Sequence, residues 1–328
     1  MLAISAILLT KIHTGYIIAL TFDLRRTAME TVLKTEHLTK IFGNKAAVND
    51  VSMTIEKGDI YGFIGKNGAG KTTLMRLVLN LIFPTSGSIK LFGESKLSRK
   101  NLSRTGSLIE APTLFTDCSA RENLKRFAIL YGADESDIEN VLKAVDLADT
   151  GKKKAGKFSF GMKQRLGIAI ALLGNPDFIV LDEPVNGLDP EGMKEIRDLI
   201  LRLNREKGTT FLISSHLLDE LSKVVTKYGI IRDGALVEEI SAKELEKKCA
   251  HKLRIKVNNA EGAKALLSPI YGDENVITED GAVIVSEHNE DSAEINKKLF
   301  ESGFSVSGIE TLSDDIESYF INLMGGKD

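Results

Sequence analysis

The stretch Asp59–Ile82, DIYGFIGKNGAGKTTLMRLVLNLI, decides the fold. It passes from a short apolar segment through a glycine-rich octet, Gly65-Lys66-Asn67-Gly68-Ala69-Gly70-Lys71-Thr72. It then enters a run in which Leu74, Leu77, Val78 and Leu81 recur at helical spacing. Strand, loop and helix in that order are the context in which G-x-x-x-x-G-K-[ST] holds phosphate. The glycines let successive backbone N–H groups turn inward around phosphate oxygens, and the helix N-terminus adds positive potential. Lys71 can reach the terminal phosphates, and the Thr72 hydroxyl can coordinate Mg²⁺. The octet, with Thr73 behind it, predicts a nucleotide site.

Around this centre the pattern alternates. VLKTEHLTKIF and AVNDVSMTIEKG read as strands ahead of it, and FPTSGSIKLFG as a turn and a short strand behind it. From Ala120 to Leu173 the chain reads as mostly helical. There follow a strand FIVLDEP, a helix EGMKEIRDLILRLNREKG, a strand TTFLISS and a helix HLLDELSKVV. Alternating strands and helices predict a mostly parallel sheet covered on both faces. From about Ser241 the character changes. HKLRIKV alternates as a strand, VITEDGAVIV has Asp280-Gly281 between two apolar runs as a hairpin does, and SAEINKKLFESG and SDDIESYFINLMGG read as helices ending near glycine.

FIVLDEP delivers Asp182 and Glu183 at a strand's C-terminal end, where open parallel sheets bind their ligands. Asp182 fits the acid that holds Mg²⁺ in phosphate-loop enzymes. Glu183 fits a general base for an attacking water. Taken alone, Asp-Glu-Pro could equally cap a turn.

Together with FSFGMKQRLGIAIALL, these motifs resemble the ABC ATPase family over about Val32–Glu239. Phe158-Ser159-Phe160-Gly161-Met162 stand in the five places of that family's LSGGQ signature. The resemblance implies an α/β P-loop NTPase core with an inserted helical subdomain at about 111–173. The ATP-binding domain would span 32–240 and a small α+β accessory domain 241–328. It implies a head-to-tail dimer of two copies, with ATP and Mg²⁺ between the phosphate loop of one and Ser159 and Gly161 of the other. Ser159 can also simply cap its own helix, and both roles can hold. Asn186-Gly187-Leu188-Asp189 resembles the loop that links the two sites of such a dimer. His216 matches the switch histidine that contacts the γ-phosphate. Phe42 sits where the family stacks an aromatic ring on adenine, or else packs in the core.

Two departures narrow the group. Glu110 stands where most members carry a glutamine, and Phe160 replaces a signature glycine. Both features, with the tail YFINLMGG, resemble the group that protects bacteria against bacitracin and lantibiotics. Glutamate can still ligate Mg²⁺, though its charge beside a triphosphate changes the electrostatics. The resemblance implies a transporter's motor subunit, with a separate membrane permease that meets the helical segment near Glu110–Asn123 and holds the chain on the cytoplasmic face of the plasma membrane. Two other classes fit the sequence less well. A soluble ABC ATPase of DNA repair or translation usually carries paired cassettes or long insertions, and a phosphotransferase would leave the signature unexplained.

Composition agrees with this ranking. A net charge of −3, from 43 basic and 46 acidic residues, gives no basic surface for nucleic acid. Cys118 and Cys249 have no metal-ligand spacing, so neither a structural metal nor a disulfide scaffold is expected. The cluster Lys152, Lys153, Lys154 and Lys157 reads as a solvated loop. Residues 1–31 form an extension with two readings. MLAISAILLTKIHTGYIIALTF is either a membrane anchor followed by Arg25-Arg26, or upstream sequence ahead of a start at Met29. Lys11 and His13 within the apolar run favour the second.

Overall fold

Two long antiparallel strands, β1 (Thr31–Phe42) and β2 (Lys45–Glu56), open the computed structural model, which describes residues 30–95, 98–249, 252–286, 292–312 and 316–325. The apolar segment before Met29 lies outside the described residues. Strand β3 (Ile60–Ile64) leads through the glycine-rich loop into helix α1 (Lys71–Val78), and β4 (Ser86–Leu91) returns to pair with β1. The result is a three-stranded antiparallel sheet in the order β2-β1-β4. Helix α1 stops at Val78, a turn earlier than the spacing predicts: Leu81 lies beyond it and is 63% exposed, while Leu74, Leu77 and Val78, with Met75, face the core.

A short helix α2 (Arg99–Leu102) and strand β5 (Thr105–Leu108) precede the helical segment α3 (Ala120–Tyr131), α4 (Asp137–Ala144) and α5 (Phe160–Leu172). Then come β6 (Phe178–Asp182), α6 (Pro190–Lys207), β7 (Thr210–Ser215), α7 (Leu218–Leu221), β8 (Lys227–Arg232), β9 (Ala235–Ser241) and α8 (Ala242–Lys248). Strands β5-β6-β7-β3-β8-β9 make a six-stranded sheet, parallel except for the antiparallel edge strand β9. Every residue of β3, β6 and β7 is buried, as expected of strands covered on both faces. One apolar layer joins the helices to this sheet, and a second fills the space between its other face, α1 and the three-stranded sheet.

HLLDELSKVV forms less helix than its sequence predicts, since α7 has only four residues. Val224 and Val225 leave it to pack on the sheet, where Val225 lies against the bare Cα of Gly62. The Thr226 N–H then donates to the Ile60 carbonyl and starts β8.

After α8 the chain builds β10 (Lys252–Val257), α9 (Ala260–Tyr271), β11 (Val276–Glu279), β12 (Ala282–Ser286), α10 (Ser292–Glu301) and β13 (Val306–Leu312). The order β11-β12-β10-β13, antiparallel throughout, is that of a split βαβ unit. The Asp280-Gly281 hairpin forms with both residues at positive φ, 47° and 72°. Alternate residues Leu253, Ile255 and Val257 meet Ala263 and Leu267 of α9 and Ile295 and Leu299 of α10 in a third apolar cluster. The closing helix α11 (Ile316–Leu323) does not join that cluster. Its Phe320 is fully buried against Tyr228 of β8 in the layer beneath the six-stranded sheet, and its Tyr319 hydroxyl bonds to Glu238 of β9. The tail therefore returns to the fold that carries the glycine-rich loop.

Candidate functional site

The loop Gly65–Gly70 joins the C-terminal end of β3 to α1. Gly68 and Gly70 are left-handed, at φ 80° and 109°. Gly70 is also hemmed in, since a Cβ there would stand 2.2 Å from the Ala47 carbonyl oxygen, and one on Gly65 2.5 Å from that of Ile231. The scaffold itself thus demands glycine at both places. Gly65 and Ala69 are buried, while Lys66, Asn67 and Gly68 form the exposed crest. No side chain caps α1, so its first N–H groups are left for an anion.

Lys71 is 6% exposed; its ammonium donates to the Gly65 carbonyl at 2.6 Å and lies 3.3 Å from Glu183 Oε1. Thr72, behind it, donates through Oγ1 to Asp182 Oδ2 at 2.7 Å. Thr73 is half-buried in the first turn of α1. A hydroxyl and a carboxylate oxygen side by side are the hard donors that suit Mg²⁺, which takes few protein ligands beside water and substrate phosphates. The second Asp182 oxygen accepts from the Ser214 hydroxyl, which fixes the carboxylate on both sides.

Glu183 adopts φ 50°, an uncommon conformation for a residue with a side chain. Its N–H is shared between the Ser214 carbonyl (3.2 Å) and hydroxyl (2.9 Å) oxygens, which hold the strained turn at the end of β6. Its carboxylate lies between Lys71 and His216, whose Nδ1 is 2.8 Å from Glu183 Oε2. Phosphate loop, both acids and the histidine thus meet at the C-terminal ends of three neighbouring strands, β3, β6 and β7. Ser214, which holds both acids, escaped the sequence reading; only its position at a strand end beside His216 could have marked it.

The other predicted residues lie elsewhere. Ser159 caps α5, accepting from the Met162 N–H at 3.2 Å. Asp189 caps α6, accepting from the Gly192 N–H at 3.0 Å. With Phe160, Gly161, Arg165, Gly187 and Leu188 they line an open groove of about 380 Å³ that includes no residue of the phosphate loop. Phe42 is 52% exposed at the end of β1 with the Lys40 ammonium 5.1 Å from its ring centre, so core packing does not account for it. Glu110, at φ 61°, pairs with Arg76 of α1. The sequence also carries a signal for Arg76, whose place four residues after Thr72 puts both on one helix face.

A protein-family model described as ABC transporter matches residues 48–186. The chain is 42% identical over 302 residues to the bacitracin transport ATP-binding protein BcrA of Bacillus licheniformis, covering 91% of this chain and 99% of that one. It is 43% identical over 208 residues to the lantibiotic transport ATP-binding protein SrtF of Streptococcus pyogenes, covering 63% and 90% respectively. Among solved structures it is similar to cbiO1 of Clostridium perfringens, part of the ABC transporter complex cbiONQ, with 28% identity, TM-score 0.61 and coverage of 66% and 90%. It is also similar to the dimeric structure of MJ0796, a bacterial ABC transporter cassette, with 25% identity, TM-score 0.58 and coverage of 64% and 99%.

Proposed function

Because the chain belongs to the ABC transporter ATP-binding family, we propose that it hydrolyses ATP to power a separate membrane permease that exports a peptide antibiotic. The observation that carries the reading is the contact of Glu183 with both Lys71 and His216 beside the Thr72–Asp182 pair. This supplies a cation for the terminal phosphates, a base for water and a donor set for a metal within one strand-end cleft. Thr72 and Asp182 would hold Mg²⁺, which offsets phosphate charge when bound.

Glu183 takes a proton from the attacking water as its oxygen bonds to the γ-phosphorus and the bond to the β-phosphate oxygen breaks. His216 orients the Glu183 carboxylate and shares the proton. Lys71 exchanges the carbonyl of its own loop for phosphate oxygens. Ser159 and Gly161 would close over the γ-phosphate from a second copy, since their groove includes no residue of their own phosphate loop. The dimeric structure of MJ0796 supports a pairing of two copies. Glu110 would approach the metal, and the exposed ring of Phe42 would carry the adenine.

The permease is inferred from the family and from the transport ATP-binding relatives. We place this chain on the cytoplasmic side of that permease on the strength of the same relatives; no helix among the described residues is long and apolar enough to cross a membrane. Capture of a tagged copy from detergent-solubilised membranes should recover a multi-span protein, and losing the chain should raise susceptibility to a bacitracin-like or lantibiotic peptide. Unchanged susceptibility together with no multi-span partner would sink the transport reading. The ATPase reading has its own test. Glu183→Gln should slow hydrolysis by about 10²–10⁴-fold while ATP still binds, as expected on removing a general base.

A further inference from the structure

Strands β5 and β6 run parallel, with Leu108 opposite Leu181. Two residues beyond that pair both chains turn through a left-handed glutamate, Glu110 at φ 61° and Glu183 at φ 50°. Adjacent strands lie about 4.8 Å apart, so two carboxylates and the Asp182 carboxylate crowd one strand-end edge. That edge must also receive a triphosphate. Lys71 answers Glu183. Glu110 is answered by Arg76, whose Nη2 contacts Glu110 Oε1. Arg76 follows Thr72 by one turn of α1, on the face that carries the Thr72 hydroxyl to Asp182.

We propose that Arg76 is a positioning residue for Glu110: it holds the carboxylate one helical turn beyond Thr72 and cancels its charge, so that magnesium triphosphate binds beside three acids. The inference rests on the nucleotide-site reading above. Exposure decides what the pair is for. Arg76 and Glu110 side chains are 41% and 63% exposed, and ion pairs so open to water contribute little to folding. A bare carboxylate beside a polyanion matters more, because the repulsion is present only when the nucleotide is bound. The contact should therefore be felt in nucleotide affinity and hardly at all in the stability of the free protein.

The test is a mutant cycle on the full chain. Dissociation constants are measured calorimetrically for Mg²⁺ with a non-hydrolysable ATP analogue, alongside the melting temperature of the ligand-free protein. Arg76→Ala should weaken analogue binding by about fivefold at low salt, and less at high salt, where charges are screened. In a Glu110→Gln background the same change should move affinity by less than about twofold, since no charge is left to cancel. Arg76→Lys should stay close to the parent. Melting temperature should stay within about 2 °C throughout. Equal losses from Arg76→Ala in both backgrounds would mean that Arg76 serves the phosphates or the fold directly, and would overturn the proposal. So would no loss with Glu110 present. If Lys71→Ala leaves analogue binding intact, the failure belongs to the nucleotide-site reading instead.

Discussion

Helices α3 and α5 begin alike and finish differently. Each is entered through an extended serine, Ser119 at φ −70°, ψ 172° and Ser159 at φ −62°, ψ 165°, and each serine side chain accepts from the N–H three residues on. At α3 that third residue is Glu122, whose carboxylate reaches back to the Ser119 N–H at 2.6 Å and closes a capping box. At α5 it is Met162, and the first turn holds no acid at all. One helix start neutralises itself; the other has no acid of its own in the first turn and faces, with Gly161, an open groove that Asp189, Glu191 and Glu195 also line. Similar backbone, different ends: the capping box closes the first turn of α3, whereas the start of α5 is left open where the proposed function brings in the γ-phosphate held by a second copy.

The strongest way to break this comparison is to finish α5 artificially. Gly161→Asp would place a carboxylate at the open helix end, where the helix dipole favours it by up to about 1 kcal/mol. The free protein should melt no lower than the parent, but steady-state ATP turnover should fall by about 10²-fold, since the same charge repels a γ-phosphate. Turnover within about twofold of the parent would mean that α5 does not face the nucleotide.

A second test sharpens the claim that the anion sits on another copy. Lys71→Ala lacks the phosphate-gripping cation but has an intact α5, and Gly161→Asp has the reverse. In a head-to-tail pair, mixing the two inactive variants creates mixed dimers with one sound composite site. Up to about a quarter of the parent activity should return, from half the population with one of two sites intact. If mixing restores nothing at any ratio, although native mass spectrometry shows that the mixed pairs form, the two segments do not share a nucleotide.

What was legible beforehand divides along a similar line. Gly65–Thr72 and FIVLDEP carry their chemistry in contiguous residues with strand and helix context, so the phosphate loop and both acids could be read locally. Contacts made by folding could not. Ser214 meets Asp182 and Glu183 across two strands, and Arg76 meets Glu110 between a helix and a strand end. Packing also set elements that the pattern does not show, and shortened one that it does. Strand β13 alternates weakly around Gly308, helix α9 contains Pro269, which breaks the helical pattern, and α7 is cut short by valines drawn to the sheet. The tail helix was legible as a helix, yet nothing in its sequence tells that Phe320 returns to Tyr228 rather than to the neighbouring split βαβ unit.

The smallest expected effect concerns the closed cap. The backbone N–H of Ser119, then its hydroxyl and Lys154, hold the Glu122 carboxyl down at about 2, against an ordinary value of 4.5. A carboxyl whose folded value is depressed stabilises the fold fully above its unfolded value and loses that contribution as pH falls towards the folded one. Glu122→Gln keeps an acceptor for the Ser119 N–H but cannot ionise. It should therefore melt slightly below the parent at pH 7, with the gap narrowing as pH drops below about 4.5, and the effect stays small because the carboxylate is exposed. Ser159→Ala at α5 removes a cap with no carboxylate behind it, so its cost should be flat over the same pH range. A pH-dependent cost at Ser159, or a pH-independent one at Glu122, would erase the distinction between the two helix starts.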